Sequence, residues 1–356
     1  MSIYRWKCRL VAQGFKQKKG IDYSETFAST VNMQSVRLFY WIVARLDLEL
    51  FKIDIKTFFL YGELEEDLYM EQPEGYEQMD RNKYVCKLLK SLYGTKQGMR
   101  CANHHLDVRL HEIGLTSFAS DEYIYIKRCG SSLVLLCNFV DDTACAVTSK
   151  KIGYSFITSL EKYYKVVTEV DPTVYLSFEI DRDRSRHYLK LSQTGYVQGL
   201  AKDFEVADRP ARPVPFSAIS CPEPKKVVND GDVPYQALVG SLIWVLKTRN
   251  DVSFHVGVLC RYMSRFNRYL YSMALKLLVY LNHTAEYGIV YDFSNCPPVK
   301  DNIFSMVAFA DSDWGAREGA EVEVCDLPSQ FRCNGSDGYL AWLDNMLDVR
   351  QTAITS

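Results

Sequence analysis

The sequence predicts an α+β fold, and three observations carry that prediction. Leu133 to Phe139 is apolar almost throughout, runs through Val140 into the pair Asp141-Asp142, and resumes as the apolar stretch Thr143 to Val147. Two strand-length runs joined that tightly can only form an antiparallel hairpin. Tyr175 to Ile180 and His187 to Leu191 repeat the arrangement around the polar turn 181–186. Apolar residues at helical spacing separate and follow these strands, so helices and hairpins alternate without the regular βαβ order of a parallel sheet.

Taken in order, Lys7 to Val11 reads as a short strand and Gly14 to Asp22 as a basic turn region. Ser35 to Arg45 is a buried helix by its apolar spacing, and Glu49 to Ile55 alternates as a strand carrying an acid near its end. Phe58 to Gly62 is a turn, and the acidic segment 63–71 leads into Pro73 and Gly75. His104 to Gly114 reads as a helix closed by a glycine, and Ile157 to Tyr164 as another. The stretch Arg209-Pro210-Ala211-Arg212-Pro213-Val214-Pro215, followed by Cys221-Pro222-Glu223-Pro224, has linker composition and suggests a boundary near 210–232. Beyond it, 235–246, 252–263 and 272–282 are helical in pattern, and Val307 to Phe309 opens a last strand leading to Asp311 and Asp313.

With 356 residues, 47% of them apolar, the chain exceeds one average domain, and two or three subdomains are expected. Lys and Arg total 42 against 44 Asp and Glu, so net charge gives no argument for a nucleic-acid partner. Charge is nevertheless clustered. Residues 1–20 and 83–100 carry Lys and Arg without a single acid, a pattern suited to a phosphate backbone and equally to a solvated face. Eleven scattered cysteines without metal-ligand spacing predict reduced thiols in an intracellular protein. No signal core and no apolar run of about 18 residues is present, so no membrane attachment is expected.

The chemistry concentrates in carboxylates at strand ends. Asp54 ends one strand, and Asp141 and Asp142 occupy the hairpin tip. Like charges between apolar strands cost several kcal/mol unless cations or donors compensate, and magnesium is a natural partner for such hard oxygen ligands. If the strands are neighbours, the three acids converge on a site suited to phosphoryl or nucleotidyl transfer. Asp-Asp also makes ordinary hairpin turns through its own backbone hydrogen bonds, so spacing alone leaves both readings open. His104, His105 and His111 lack ligand-spaced acid or Cys partners and read as surface or packing residues.

Six segments then bear on the choice. Lys7-Cys8-Arg9-Leu10-Val11-Ala12-Gln13-Gly14-Phe15, Gly20 to Phe27, Ile53-Asp54-Ile55-Lys56-Thr57-Phe58-Phe59-Leu60-Tyr61-Gly62, Tyr69 to Tyr76, Lys90 to Gln97 and Phe139-Val140-Asp141-Asp142 occur in this order. The order and spacing resemble the reverse transcriptases of copia-type LTR retrotransposons, over nearly the whole chain. The resemblance implies a right-hand polymerase of fingers, palm and thumb in 1–218, with an antiparallel palm sheet. A helical connection in 219–300 and a truncated ribonuclease H-like segment in 301–356 would follow. It implies an RNA-directed DNA polymerase that binds an RNA template, a DNA primer, their RNA:DNA hybrid and deoxynucleoside triphosphates. Such an enzyme acts inside the cell, in a cytoplasmic virus-like particle or the nucleus.

By the same resemblance Asp54, Asp141 and Asp142 hold two Mg2+ ions, with Mn2+ as a possible substitute. Phe59 closes on the sugar of the incoming nucleotide and excludes a 2′-hydroxyl. Gln97 and Arg100 line the nucleotide and template pocket, Lys7 and Arg9 face the triphosphate from a fingers strand, and Asp311 stands in place of the first ribonuclease H aspartate. Thr248-Arg249-Asn250-Asp251-Val252 stands where the family shows Thr-Arg-Pro-Asp-Ile.

Departures accompany the match. Gln97-Gly98-Met99-Arg100-Cys101-Ala102 replaces the family's Gln-Ala-Pro-Arg-Ala-Trp, removing a tryptophan and a proline from the pocket wall. Phe58 fills a position usually held by a small residue, and Asn138 puts an amide into the strand before the aspartate pair. The chain ends before the helix expected to supply the second ribonuclease H carboxylate, so no ribonuclease H activity is expected. The alternative to a polymerase is an inactive retrotransposon remnant that at most binds nucleic acid.

Overall fold

Alternation decides the first strand. In β1 (Glu49–Ile55), Phe51, Ile53 and Ile55 are buried while Lys52 and Asp54 on the opposite face keep partial access to solvent. The computed structural model describes residues 8–216, 227, 229 and 232–296. The described residues form two compact units, one comprising residues up to Val43 together with Asp47–Pro172, the other Ala44–Leu46 and residues from Thr173.

In the first unit, β1 lies inside a six-stranded antiparallel sheet ordered β4-β5-β6-β7-β1-β8. The other members are β4 (Thr116–Phe118), β5 (Asp121–Cys129), β6 (Ser132–Phe139), β7 (Asp142–Val147) and β8 (Val166–Val170). Phe51, Ile53, Ile55, Val134, Leu136, Cys145 and Val147 share a core with Leu106 and Leu110 of α2 (Gly98–Glu112) and with Phe156, Ile157 and Leu160 of α3 (Lys150–Leu160). Each fully buried apolar side chain of this kind stabilises the fold by roughly 1.5–3 kcal/mol. Gly153 lets α3 approach the sheet, because a Cβ there would stand 2.5 Å from the Phe51 ring.

Local signals set the helix ends. Asn32 accepts from the Gln34 amide at 3.1 Å at the start of α1 (Met33–Arg45). At the end of α2, Gly114 takes φ +90, Leu115 N–H donates to Leu110 C=O and Gly114 N–H to His111 C=O, a Schellman arrangement. The α2 helix begins six residues before the expected His104. Gly98 in its first turn reads as a loop residue, yet a Cβ at 98 would stand 2.6 Å from Thr95 Oγ1.

Two expectations change. Residues 8–11 form no strand: Leu10 and Val11 are exposed, and this stretch is held by its neighbours at Tyr93 and Gly94 rather than by a ladder. The acidic segment 63–71 is not merely a lead-in but a strand, β2 (Glu63–Met70), paired with β3 (Cys86–Lys90). Across that hairpin Lys87 meets Asp67 at 2.6 Å, and Arg81 meets Glu71 at 3.2 Å. The basic stretch 83–100 is thus partly neutralised by acids from the preceding strand.

The second unit holds a four-stranded antiparallel sheet, β12-β11-β10-β9, comprising β9 (Val174–Tyr175), β10 (Phe178–Asp183), β11 (Tyr188–Ser192) and β12 (Gly288–Asp292). The expected strand pair 175–191 is present, with Ile180 opposite Leu191. Four helices, α4 (Thr194–Asp203), α5 (Tyr235–Val245), α6 (Ser253–Cys260) and α7 (Arg268–His283), bury Val197, Leu200, Leu238, Leu242, Val256, Leu259, Leu277 and Leu281 in one core. Arg249 is 2% exposed within this unit. Its guanidinium binds both carboxylate oxygens of Asp251 at 2.8 and 2.7 Å and the Thr284 carbonyl at 2.7 Å, which gives the motif at 248–252 a structural role.

Lys7, the strand expected at 307–309, Asp311 and the segment 301–356 lie outside the described residues. Among the described residues, no helix is long and apolar enough to cross a membrane, and all eight cysteines are free.

Candidate active site

The register of β1 against β7 places Asp54 directly opposite Asp142. Asp142 is also paired with Phe139 across the β6–β7 hairpin, whose two-residue turn is Val140 and Asp141. Ile55 N–H donates to the Asp141 carbonyl at 3.1 Å, which ties the hairpin tip to the end of β1. The three predicted acids therefore come together. Val140 sits at φ +59, a conformation a β-branched residue reaches only at a cost of about 1–2 kcal/mol.

Two lysines accompany the acids. Lys52 Nζ lies 3.7 Å from Asp142 Oδ1, and Lys56 Nζ contacts Asp54 Oδ2. Partial burial pushes the Asp142 carboxyl above the usual range; Lys52 counters that shift, and the charges of Asp141 and Asp54 add to it. Three carboxylates on adjoining strand ends are a donor set suited to a hard divalent cation. Among the described residues no three carboxylate, His or Cys side chains already converge as ligands, and the lysine contacts account for where two of these carboxylates point.

The strand behind the acids is secured by polar pairing. Asn138, 1% exposed, accepts from Thr143 Oγ1 at 2.7 Å, and the two residues are cross-strand partners. The amide that departs from the family pattern therefore has a buried partner of its own.

Beyond Asp54, Thr57 adopts φ +55 and turns the chain into a 3-10 segment, Phe58–Tyr61. Phe59 is half-buried against Tyr93, with ring centroids 4.8 Å apart, and its carbonyl accepts from the Ser91 hydroxyl. Arg9 lies over the same Tyr93 ring, 5.6 Å from its centroid. Tyr93 thus links Arg9 and Phe59, a platform the sequence reading did not single out. Ala12 N–H donates to the Tyr93 carbonyl at 2.8 Å, and a Cβ on Gly14 would stand 2.0 Å from Gly94 O. That close approach makes two of the motif segments one structure.

Gln97 and Arg100 are placed differently. Gln97 is 1% exposed; its Nε2 donates to the Asp22 carbonyl at 2.9 Å and to Glu66 at 3.3 Å, and its Oε1 accepts from Gln17 at 3.0 Å. In this arrangement it clamps the 17–22 loop to β2 and α2. Arg100 pairs with Glu65 at 3.5 Å and borders a cavity with Asn103, Asp107 and Tyr123 that includes none of the three aspartates.

Phe58 and Ala102 lie in the same core. Phe58 is large where the family is small, Ala102 is small where it has tryptophan, and both are buried in one core where α2 packs on the 58–61 turn.

The family described as Reverse transcriptase (RNA-dependent DNA polymerase) matches residues 2–218. The chain is 34% identical over 293 residues to the Retrovirus-related Pol polyprotein from transposon TNT 1-94 of Nicotiana tabacum, covering 79% of this chain and 22% of that protein. It is 30% identical over 318 residues to the Retrovirus-related Pol polyprotein from transposon RE1 of Arabidopsis thaliana, covering 88% of this chain and 21% of that protein. The chain thus spans about a fifth of the length of these curated relatives. With the matched model covering more than half of its residues, the chain belongs to the reverse transcriptase (RNA-dependent DNA polymerase) family.

Proposed function

We propose that this chain is an RNA-directed DNA polymerase of a copia-type retrotransposon, in which the six-stranded sheet with α2 and α3 is the palm. The observation that carries the proposal is the Asp54–Asp142 pairing with Asp141 at the adjoining turn, inside a matched family segment. Asp54, Asp141 and Asp142 would hold two Mg2+ ions, or Mn2+ in their place. Metal bound there supplies charge stabilisation for the attacking 3′-oxygen of the primer and the departing pyrophosphate.

The remaining residues position the substrates. Phe59, packed against Tyr93 in the 3-10 segment that follows Asp54, would supply the aromatic side chain that excludes a ribose 2′-hydroxyl. Arg9, which lies over the Tyr93 ring, supplies positive charge for the triphosphate, and Lys7 serves the same end. Arg100 borders the cavity beside α2 and contributes to the template side, whereas Gln97 acts through the loop it fixes. The RNA template, DNA primer and RNA:DNA hybrid are bound through their phosphates and A-form shape, and the work is done inside the cell, in a cytoplasmic particle or the nucleus.

Two measurements on one preparation test this: fluorescence anisotropy with a labelled RNA:DNA primer-template, and extension of that primer. Binding with extension is expected. Binding without extension would establish the alternative of a nucleic-acid-binding remnant.

A further inference from the structure

Period two along β1 puts Lys52 and Asp54 on one face of the strand, and Lys56, just past its end, is the next residue in that series. Lys56 continues the ladder, its amide donating to the Lys165 carbonyl at 2.9 Å, so its direction is set by the sheet. The contacts are crossed: Lys56 reaches Asp54, while Lys52 reaches over to Asp142 on β7. Glu169 of β8 stands opposite Lys52 on its other side. Both lysines are partly shielded, with 27% and 38% of their side chains exposed, so their charges are less screened than those of free surface lysines.

We propose that Lys52 and Lys56 are resident counter-ions of the aspartate cluster, occupying Asp142 and Asp54 until a divalent cation displaces them, and that they set the affinity of the site for that cation. This rests on the polymerase reading of the three aspartates. Without the lysines, three carboxylates would face one another across two strand ends. With them, the cluster carries a net charge of about −1, enough to remain folded without metal and less attractive to a dication than the bare triad. An ammonium about 6 Å from a dication opposes binding roughly tenfold even at the dielectric constant of water. Each lysine is expected to weaken metal binding by about that factor, and less at high salt.

The test uses the full chain, freed of metal and titrated with Mn2+ at low and high salt. Free Mn2+ is read by its electron paramagnetic resonance signal and bound Mn2+ by the shift in thermal unfolding. Lys52→Met and Lys56→Met are each expected to bind Mn2+ about tenfold more tightly at low salt. Lys52→Arg, which keeps the charge, is expected to bind as wild type, and Lys52→Gln serves as a second neutral variant should Lys52→Met not fold. Asp142→Asn is expected to lose the tight site. If the neutral lysine variants bind like wild type while Asp142→Asn loses binding, the counter-ion role is overturned and the metal site stands. If neither wild type nor any lysine variant binds Mn2+ at a site lost in Asp142→Asn, both readings fall.

Discussion

Asp54 and Asp142 face each other as direct partners across two antiparallel strands, each in contact with a lysine from β1 or its continuation. The fold thus holds two acids side by side at a site where burial and neighbouring carboxylates push Asp142 toward its neutral form. The neutral isostere Asp142→Asn is therefore expected to raise the melting temperature of metal-free protein slightly and to abolish stabilisation by Mg2+. Differential scanning calorimetry with and without Mg2+ reads both effects. A lower melting temperature in the metal-free variant would contradict the electrostatic account.

Phe58 and Ala102 are expected to be energetically coupled. Phe58→Ala opens a cavity and costs about 3–5 kcal/mol, and Ala102→Trp alone overpacks the same core by about 1–3 kcal/mol. The double variant should recover at least ~1 kcal/mol relative to the sum, measured by denaturant unfolding. Strict additivity would mean that the two positions do not share space.

The aspartate hairpin is legible in the sequence because its signal is short-range: apolar runs, a two-residue turn and acids at fixed distances. β1 is equally plain from Phe51 to Ile55, where its alternation matches its burial. Less legible is whatever depends on a partner far along the chain. Four of the eight residues of β2 are acids, and the strand reads as a solvated segment until Lys87 is found beside Asp67. Gln97 reads as available to a ligand, and only the folded loop reveals that Gln17, Asp22 and Glu66 occupy its amide. Phe58 and Ala102 read as isolated departures, and only the fold shows that both are buried in one core. Lys52 and Lys56 carry a readable signal in their two-residue spacing from Asp54, one that the acids themselves overshadow.

Asn138 and Thr143 form a buried polar pair whose members depend on each other. Thr143→Val should cost about 1–3 kcal/mol because it strands the Asn138 carbonyl oxygen, whereas Asn138→Val combined with Thr143→Val should be less destabilising than Thr143→Val alone. Chemical denaturation of the two variants decides this, and a double variant weaker than the single would contradict the pairing.

Arg249 and Asp251 make the second unit acid-sensitive. Burial opposes ionisation of Asp251, but the Arg249 guanidinium outweighs it and holds the carboxyl below its ordinary value of 3.8. A depressed folded-state pKa contributes stability that is present above the unfolded value and lost as pH falls through the folded one. Unfolding midpoints should therefore decline below about pH 4, and Asp251→Asn should flatten that decline. Arg249→Met, which leaves the Thr284 carbonyl without its buried donor and the partly exposed Asp251 without its cation, should cost about 1–3 kcal/mol at pH 7.

Catalysis by Asp54, Asp141 and Asp142 is the central claim. Its most direct test is the initial rate of dTMP incorporation on poly(rA)/oligo(dT) with Mg2+, comparing wild type with Asp142→Asn at matched folded concentration. Mg2+-dependent extension by wild type is predicted, with a loss of more than about a hundredfold in the variant, since several kcal/mol of charge stabilisation depend on that ligand. Equal rates in the two proteins, or no extension by folded wild type at any concentration, would contradict it.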